Sequence, residues 1–178
     1  LLNRVCQKAG LGRADLTSVG VGLPGFVDNS QGSVLWSSTL TDRNVALAEA
    51  AQQRLGLPVS IDNDANLVAL AELWFGAGRS LADFAVVTFE HGVGMGFVMN
   101  HRLYRGSQGL GMELGHTKVQ LDGALCRCGQ RGCLEAYVAD YALAREATTA
   151  LNWGHRDGQP TAVLLESLYE HAKSGDAT

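Results

Sequence analysis

No stretch of eighteen apolar residues exists in the chain, which excludes a membrane-crossing helix read from hydropathy. The N-terminal residues lack the basic, apolar and small-residue succession of a leader, so the expected compartment is cytoplasmic. Basic charge is also scarce. Fourteen Lys and Arg stand against eighteen Asp and Glu, a net charge of −4, and a nucleic-acid platform within this piece would normally show a basic face. There is no internal repeat, no long charge run and nothing that points to an oxidising compartment for the four cysteines. What remains is a chain of 178 residues, 46% hydrophobic, enough for a sizeable core in one domain or in parts of two. Its 22 glycines cluster in turns rather than in a linker.

Three of the four cysteines fall in one short stretch, as Cys126-x-Cys128-x4-Cys133, with His116 ten residues upstream. Three thiolates and an imidazole satisfy a closed tetrahedral Zn²⁺ site, and a closed site is structural because a catalytic ion keeps an open position. Gly129 and Gly132 are placed to take the left-handed backbone that folds three sulfurs onto one ion. Arg127 and Arg131 are expected to offset the thiolate charge. The alternative is a disulfide with free thiols, or plain buried cysteines; Cys126 and Cys128 are too close for an easy bridge. Glu113 and Glu135 flank the stretch. If one ring nitrogen of His116 ligates zinc, the other donates to a ligand hydroxyl, and the two carboxylates accept from neighbouring hydroxyls.

Along the chain, Leu1 to Ala9 reads as a helix stopped at Gly10. Thr17 to Leu23 reads as a buried strand, and 26–28 with 33–37 as a hairpin. Val45 to Leu55 has helical spacing and ends at Gly56, a C-cap. Leu57 to Ile61 is a strand that runs into Asp62-Asn63-Asp64 and a helix from Ala65 to Phe75. Polar residues at the carboxyl end of a strand are where open α/β sheets bind ligands. Asn63 or Asp64 equally suits a helix N-cap. Gly76-Ala77-Gly78 reads as a hinge, which puts 1–78 in a first α/β lobe and 79–178 in a second. Phe84 to Phe89, Val93 to Met99 and Arg102 to Tyr104 read as strands. Between the first two lies the glycine-rich turn Glu90-His91-Gly92-Val93-Gly94-Met95-Gly96, a type of turn that lets backbone N–H groups approach a phosphate. Leu134 to Leu151 reads as one long helix with Tyr137, Val138, Tyr141 and Leu143 inside, Trp153 to Pro160 as a loop, and Thr161 to Lys173 as the last helix. His155 and His171 are expected to face solvent, and Cys6 to be a small core residue.

Glu113-x-Gly-His116 followed by Cys126-x-Cys128-Gly-x-x-Gly-Cys133-x-Glu135 resembles the signature of the ROK family of sugar repressors and sugar kinases. Gly22-Leu-Pro-Gly-Phe-Val-Asp28, Asp62-Asn-Asp-Ala-Asn66 and Leu103-Tyr-Arg-Gly106 resemble it too, over about Val19 to Tyr141. The resemblance implies an actin/hexokinase-like (ribonuclease H-like) α/β fold of two lobes around a sugar cleft, present here in part and as an internal fragment. It implies Asn63, Asp64, Glu113, His116 and Glu135 as monosaccharide ligands. In the kinases the residue matching Asp64 is the general base that deprotonates the attacking hydroxyl, a role open to a carboxylate within hydrogen-bond reach. It also implies a homodimer or homotetramer.

The chain departs from the kinase loop at two adjacent residues and from the wider family at a third. The kinase loop reads Gly-Thr-Gly-x-Gly-x-Gly with the first two residues on nucleotide phosphates, whereas this chain has Glu90 and His91 there. A carboxylate about 4 Å from a phosphate charge costs on the order of 4 kcal/mol in a partly buried site. Gly92 and Gly94 then remain as a phosphate-loop remnant. Thr39 stands where Asn is commoner. The expectation is therefore the sugar-sensing domain of a transcriptional regulator, with operator DNA read by a domain absent from this chain. The alternative is an ATP-dependent sugar kinase with Asp64 as base and Mg-ATP as cofactor; a zinc-stabilised sugar-binding module without either is a third reading.

Overall fold

The computed structural model describes residues 2–107, 109, 111–152 and 158–175. The chain divides into two compact units: residues 1–84 with 96–111, and residues 85–95 with 112–178.

In the first unit, helix α1 (Leu2–Ala9) precedes strand β1 (Val19–Leu23), the hairpin β2 (Phe26–Asp28) and β3 (Ser33–Trp36), helix α2 (Leu47–Leu55), strand β4 (Val59–Asn63) and helix α3 (Asp64–Phe75). β1 and β4 pair in parallel from Val19↔Val59 to Leu23↔Asn63. β2 and β3 pair antiparallel, with an irregularity between Phe26 and Val27. Leu23, Val27, Val34 and Ile61 form the buried core, and Leu40, Leu47 and Val59 pack against it. Val45 does not start α2 as its spacing suggested. It bridges Val34 of the hairpin with two backbone hydrogen bonds, and α2 begins two residues later. Gly56 closes that helix in the left-handed conformation, as expected of a C-cap. Cys6 is buried on α1.

Strands β5 (Phe84–Phe89), β6 (Val93–Met99) and β7 (Arg102–Tyr104) form a sheet in that order. β6 and β7 are antiparallel, turned at Asn100 and His101, both with positive φ. In the second unit the cysteine loop leads into α4 (Glu135–Val138), α5 (Asp140–Ala150) and α6 (Thr161–Lys173).

The single helix expected over 134–151 is broken. Ala139 is extended (φ −75°, ψ 159°), because the Asp140 N–H leaves the helical ladder and donates to the Glu90 carbonyl at 2.9 Å. The Ala136 carbonyl that Asp140 would have used accepts from Arg145 Nη2 at 3.0 Å. Nor do the large residues fill the inner face. Ala136, Ala139, Ala142, Ala144 and Ala147 are, with Glu135, the buried positions, and Ala144 and Ala147 pack on Leu164 of α6. Small side chains let these helices approach closely, which leaves Tyr137, Val138, Tyr141 and Leu143 half-buried. Residues 153–157 of the expected loop, His155 among them, lie outside the described residues; His171 is half-buried on α6. Among the described residues no helix is long and apolar enough to cross a membrane.

Candidate functional site: a cysteine loop and a polar strand end

His116, Cys126, Cys128 and Cys133 each bring one ligand atom within 4.8 Å of the others. The Cys128 and Cys133 sulfurs are 3.8 Å apart, and Cys126 Sγ lies 3.8 Å from His116 Nδ1. Donors about 2.0–2.3 Å from a tetrahedral ion stand about 3.5–3.8 Å from one another, so these two edges have the size an ion needs. The backbone makes the shape. Gly129 (φ 87°) and Gly132 (φ 76°) are both left-handed, and a Cβ at Gly132 would run into the Gln120 carbonyl. Cys126 N–H donates to the Gln130 carbonyl at 2.8 Å, and Gly129 N–H to Cys126 O at 3.0 Å, closing the knuckle. Cys126, Cys133 and Ala136 form a small buried cluster, whereas Cys128 is exposed.

The charge balance differs from the expected one. Arg127 lies over the Tyr141 ring, 4.0 Å from its centroid, and Arg131 Nη1 donates to the Gly123 carbonyl at 3.1 Å. The cation at the sulfurs is Lys118, whose Nζ is 3.0 Å from Cys133 Sγ. Burial pushes the Cys126 thiol up to about 12, and the nearby Glu135 charge acts in the same direction. Cys126 then donates to Glu135 Oε1 at 3.5 Å. Burial also raises Cys128, but the Gln130 N–H, the thiols of Cys126 and Cys133 and the Lys118 charge outweigh it and hold Cys128 below the ordinary value. Burial, then the bond to Cys126, pushes Tyr141 up to about 12. A cation replacing these protons resolves the crowding of thiols, since metal binding takes thiolates and releases protons.

Glu135 is itself buried, and its second oxygen accepts from the Val93 N–H at 3.3 Å. A Cβ at Gly92 would stand 2.9 Å from that same oxygen. The glycine-rich turn is thus tied on two sides: Val93 to Glu135, and Glu90 O to the Asp140 N–H. His91 adds a third tie, its Nδ1 lying 3.2 Å from Asp140 Oδ2 while the ring is otherwise exposed. Glu113 precedes the short helical turn 114–116 that carries His116, and it is exposed.

In the first unit, the polar trio at the end of β4 divides its work. Asn63 is the N-cap of α3: its Oδ1 accepts from Asn66 N–H at 3.2 Å, and its Nδ2 donates to the Gly25 carbonyl at 3.0 Å. Asp64 is exposed in the first turn, bonded to the Ala65 N–H at 2.9 Å. Asp62, to which the sequence assigned no role, is buried. It accepts from Asn66 Nδ2 at 3.0 Å and Asn63 N–H at 2.8 Å, and it receives both Nε (2.9 Å) and Nη2 (2.6 Å) of Arg105. The signal for this pair was the arginine of Leu103-Tyr-Arg-Gly106, but a partner 43 residues away leaves no local trace. Buried Ser37 shares a 2.8 Å bond with Thr39, the residue that departs from the family pattern.

The sequence model of the ROK family matches residues 6–178. The chain belongs to the ROK family. Its relatives in that family include both branches. It is 36% identical to a xylose repressor of Caldicellulosiruptor bescii over 143 residues, 80% of this chain and 36% of the repressor. It is 37% identical to a glucokinase of Thermotoga maritima over 165 residues, 89% of this chain and 52% of the glucokinase. Among solved structures, a ROK glucokinase from Streptomyces griseus in complex with glucose and AMPPNP superimposes with a TM-score of 0.80 at 33% identity, over 99% of this chain and 60% of that one. A ROK-family transcriptional regulator, a homologue of the E. coli MLC protein, gives 0.73 at 32%, over 89% and 39%. This ROK chain therefore has the α/β, hexokinase/actin-like fold of its family and spans between about a third and three fifths of those relatives' lengths. Xylose repressors and glucokinases are similar to it at nearly equal identity.

Proposed function

We propose that this chain is the sugar-sensing domain of a ROK transcriptional regulator. Asn63, Asp64, Glu113, His116 and Glu135 are its monosaccharide ligands in this reading. The observation that carries this reading is the tied turn at 90–93. The Val93 N–H is taken by Glu135, the Glu90 carbonyl by Asp140, and His91 is drawn to the Asp140 carboxylate. A turn that takes phosphate needs free N–H groups and no anion beside them. This one has an occupied N–H and the carboxylates of Glu90, Glu135 and Asp140 within its own neighbourhood.

Zinc held by His116, Cys126, Cys128 and Cys133 serves a structural role in this reading. The side of His116 toward the sulfurs is Nδ1, which leaves Nε2–H to donate to a sugar hydroxyl. Operator DNA is read by a further domain of the full-length protein, which is cytoplasmic and a homodimer or homotetramer. Residues 1–78 and 79–178 belong to the first and second lobes of that protein. The kinase reading keeps one specific support: Asp64 is exposed at the N-terminus of α3, with no ion pair among the described residues, where a general base would stand. An assay of ADP release by the full-length protein, with Mg-ATP and a panel of hexoses and N-acetylhexosamines, separates the two. The sensor reading expects no sugar-dependent turnover; steady ADP release with any one sugar makes Asp64 a catalytic base and overturns it.

A further inference from the structure

The four ligands of the cysteine loop are unequal in one respect. Cys126 and Cys133 are 3% and 0% exposed, and His116 is half-buried, but Cys128 faces solvent. Its sulfur is 3.8 Å from that of Cys133, and Cys133 has the Lys118 ammonium 3.0 Å away. An accessible sulfur backed by a buried one, with a positive charge beside the second, is the arrangement of a peroxide-reactive thiol and its resolving partner.

We propose that Cys128 is an oxidation site for hydroperoxides, and that its disulfide with Cys133 releases the metal from the loop. The proposal rests on the metal reading above. Cys128 thiolate attacks one peroxide oxygen, the O–O bond breaks, and a sulfenic acid and water (or an alcohol) result. Cys133 thiolate then attacks the Cys128 sulfur and expels hydroxide, which takes up a proton to leave as water. Two thiolates, one hydroperoxide and two protons give one disulfide and two hydroxylic products; the sulfurs lose two electrons and the peroxide gains them. The disulfide removes two of the four donors, and a site left with Cys126 and His116 does not hold a structural ion. His116 is then no longer fixed, so the loop's metal state and the orientation of a proposed sugar ligand change together.

The test uses the full-length protein in reductant-free buffer, with zinc content measured first. Stoichiometric hydrogen peroxide is added, free zinc is followed with a chromogenic chelator, and the disulfides are mapped by peptide mass. The expected result is zinc release that tracks a Cys128–Cys133 disulfide, with buried Cys6 left reduced, and recovery on dithiothreitol plus zinc. Cys128→Ser lacks one of the four zinc donors, so its readout is Cys133 itself, whose oxidation by stoichiometric peroxide should slow by roughly tenfold or more because the accessible thiol is gone. The mass map of the unaltered protein decides the matter even if that variant does not fold. Zinc present at the start and retained after peroxide overturns the proposal alone, as does a Cys126–Cys128 bridge. A protein without zinc at the start overturns the metal reading and the proposal with it.

Discussion

The strand end at Asp62–Asp64 and the loop at Cys126–Cys133 both gather polar side chains, yet they are completed by different means. At the strand end the groups complete one another. Asp62 has four hydrogen bonds from Asn63, Asn66 and Arg105, and Asn63 spends both ends of its amide on the helix cap and Gly25. At the loop, two sulfurs at 3.8 Å and a sulfur and a ring nitrogen at 3.8 Å face each other with weak thiol contacts. The first arrangement is stable by its own hydrogen bonds, whereas we propose that the second is finished by a cation. The lesson is that a constellation of ligand-type residues must be judged by what already satisfies it.

Removing the proposed metal should produce the largest effect. Structural zinc contributes on the order of 10 kcal/mol to small metal-dependent folds, so a chelator should unfold the loop from Thr117 to Leu134. Loss of amide protection there, with 19–63 unchanged in hydrogen exchange, is the expected pattern; uniform protection in both regions would erase the contrast. His116→Ala sharpens the same point. It should lose zinc and weaken sugar binding together, whereas Glu113→Ala should keep full zinc and weaken only the sugar, as read by metal analysis and calorimetry. Full zinc occupancy in His116→Ala would end the shared-histidine idea.

The strand end should respond to its own residues and ignore chelators. Asp62→Ala leaves Arg105 without its carboxylate. Breaking a buried ion pair costs about 3–5 kcal/mol, and Arg105's exposure of one third reduces this to about 2–3 kcal/mol in urea unfolding. Asn63→Ala should cost about 1–2 kcal/mol through the lost cap and the freed Gly25 carbonyl. Asn63→Asp keeps the capping oxygen and should recover about half of that loss. Equal losses in the two Asn63 variants would mean that the bond to Gly25 is the whole of the effect.

Local chemistry was legible in the sequence and distant pairing was not. Gly56 as a C-cap, Gly129 and Gly132 as left-handed residues, and an Asx cap at 63 or 64 each follow from neighbours within a turn. Cysteine spacing brought out the four-ligand set because three of its members sit within eight residues. The break at Ala139 was hidden, since it is made by a bond from Asp140 to a carbonyl fifty residues earlier. Arg127 and Arg131 looked like charge partners by sequence distance alone, but side-chain reach gave that place to Lys118. The alanine face of α4 and α5 is not legible from the spacing of large residues, because close helix packing selects small ones.

The central claim is that a ROK fold with Glu90 and His91 in its turn senses a sugar without using a nucleotide. Calorimetric titration of the full-length protein with Mg-ATP, before and after saturation with the tightest-binding hexose, tests it most directly. The account predicts heat from the sugar and none from Mg-ATP in either state. Mg-ATP binding that tightens once the sugar is bound would contradict it.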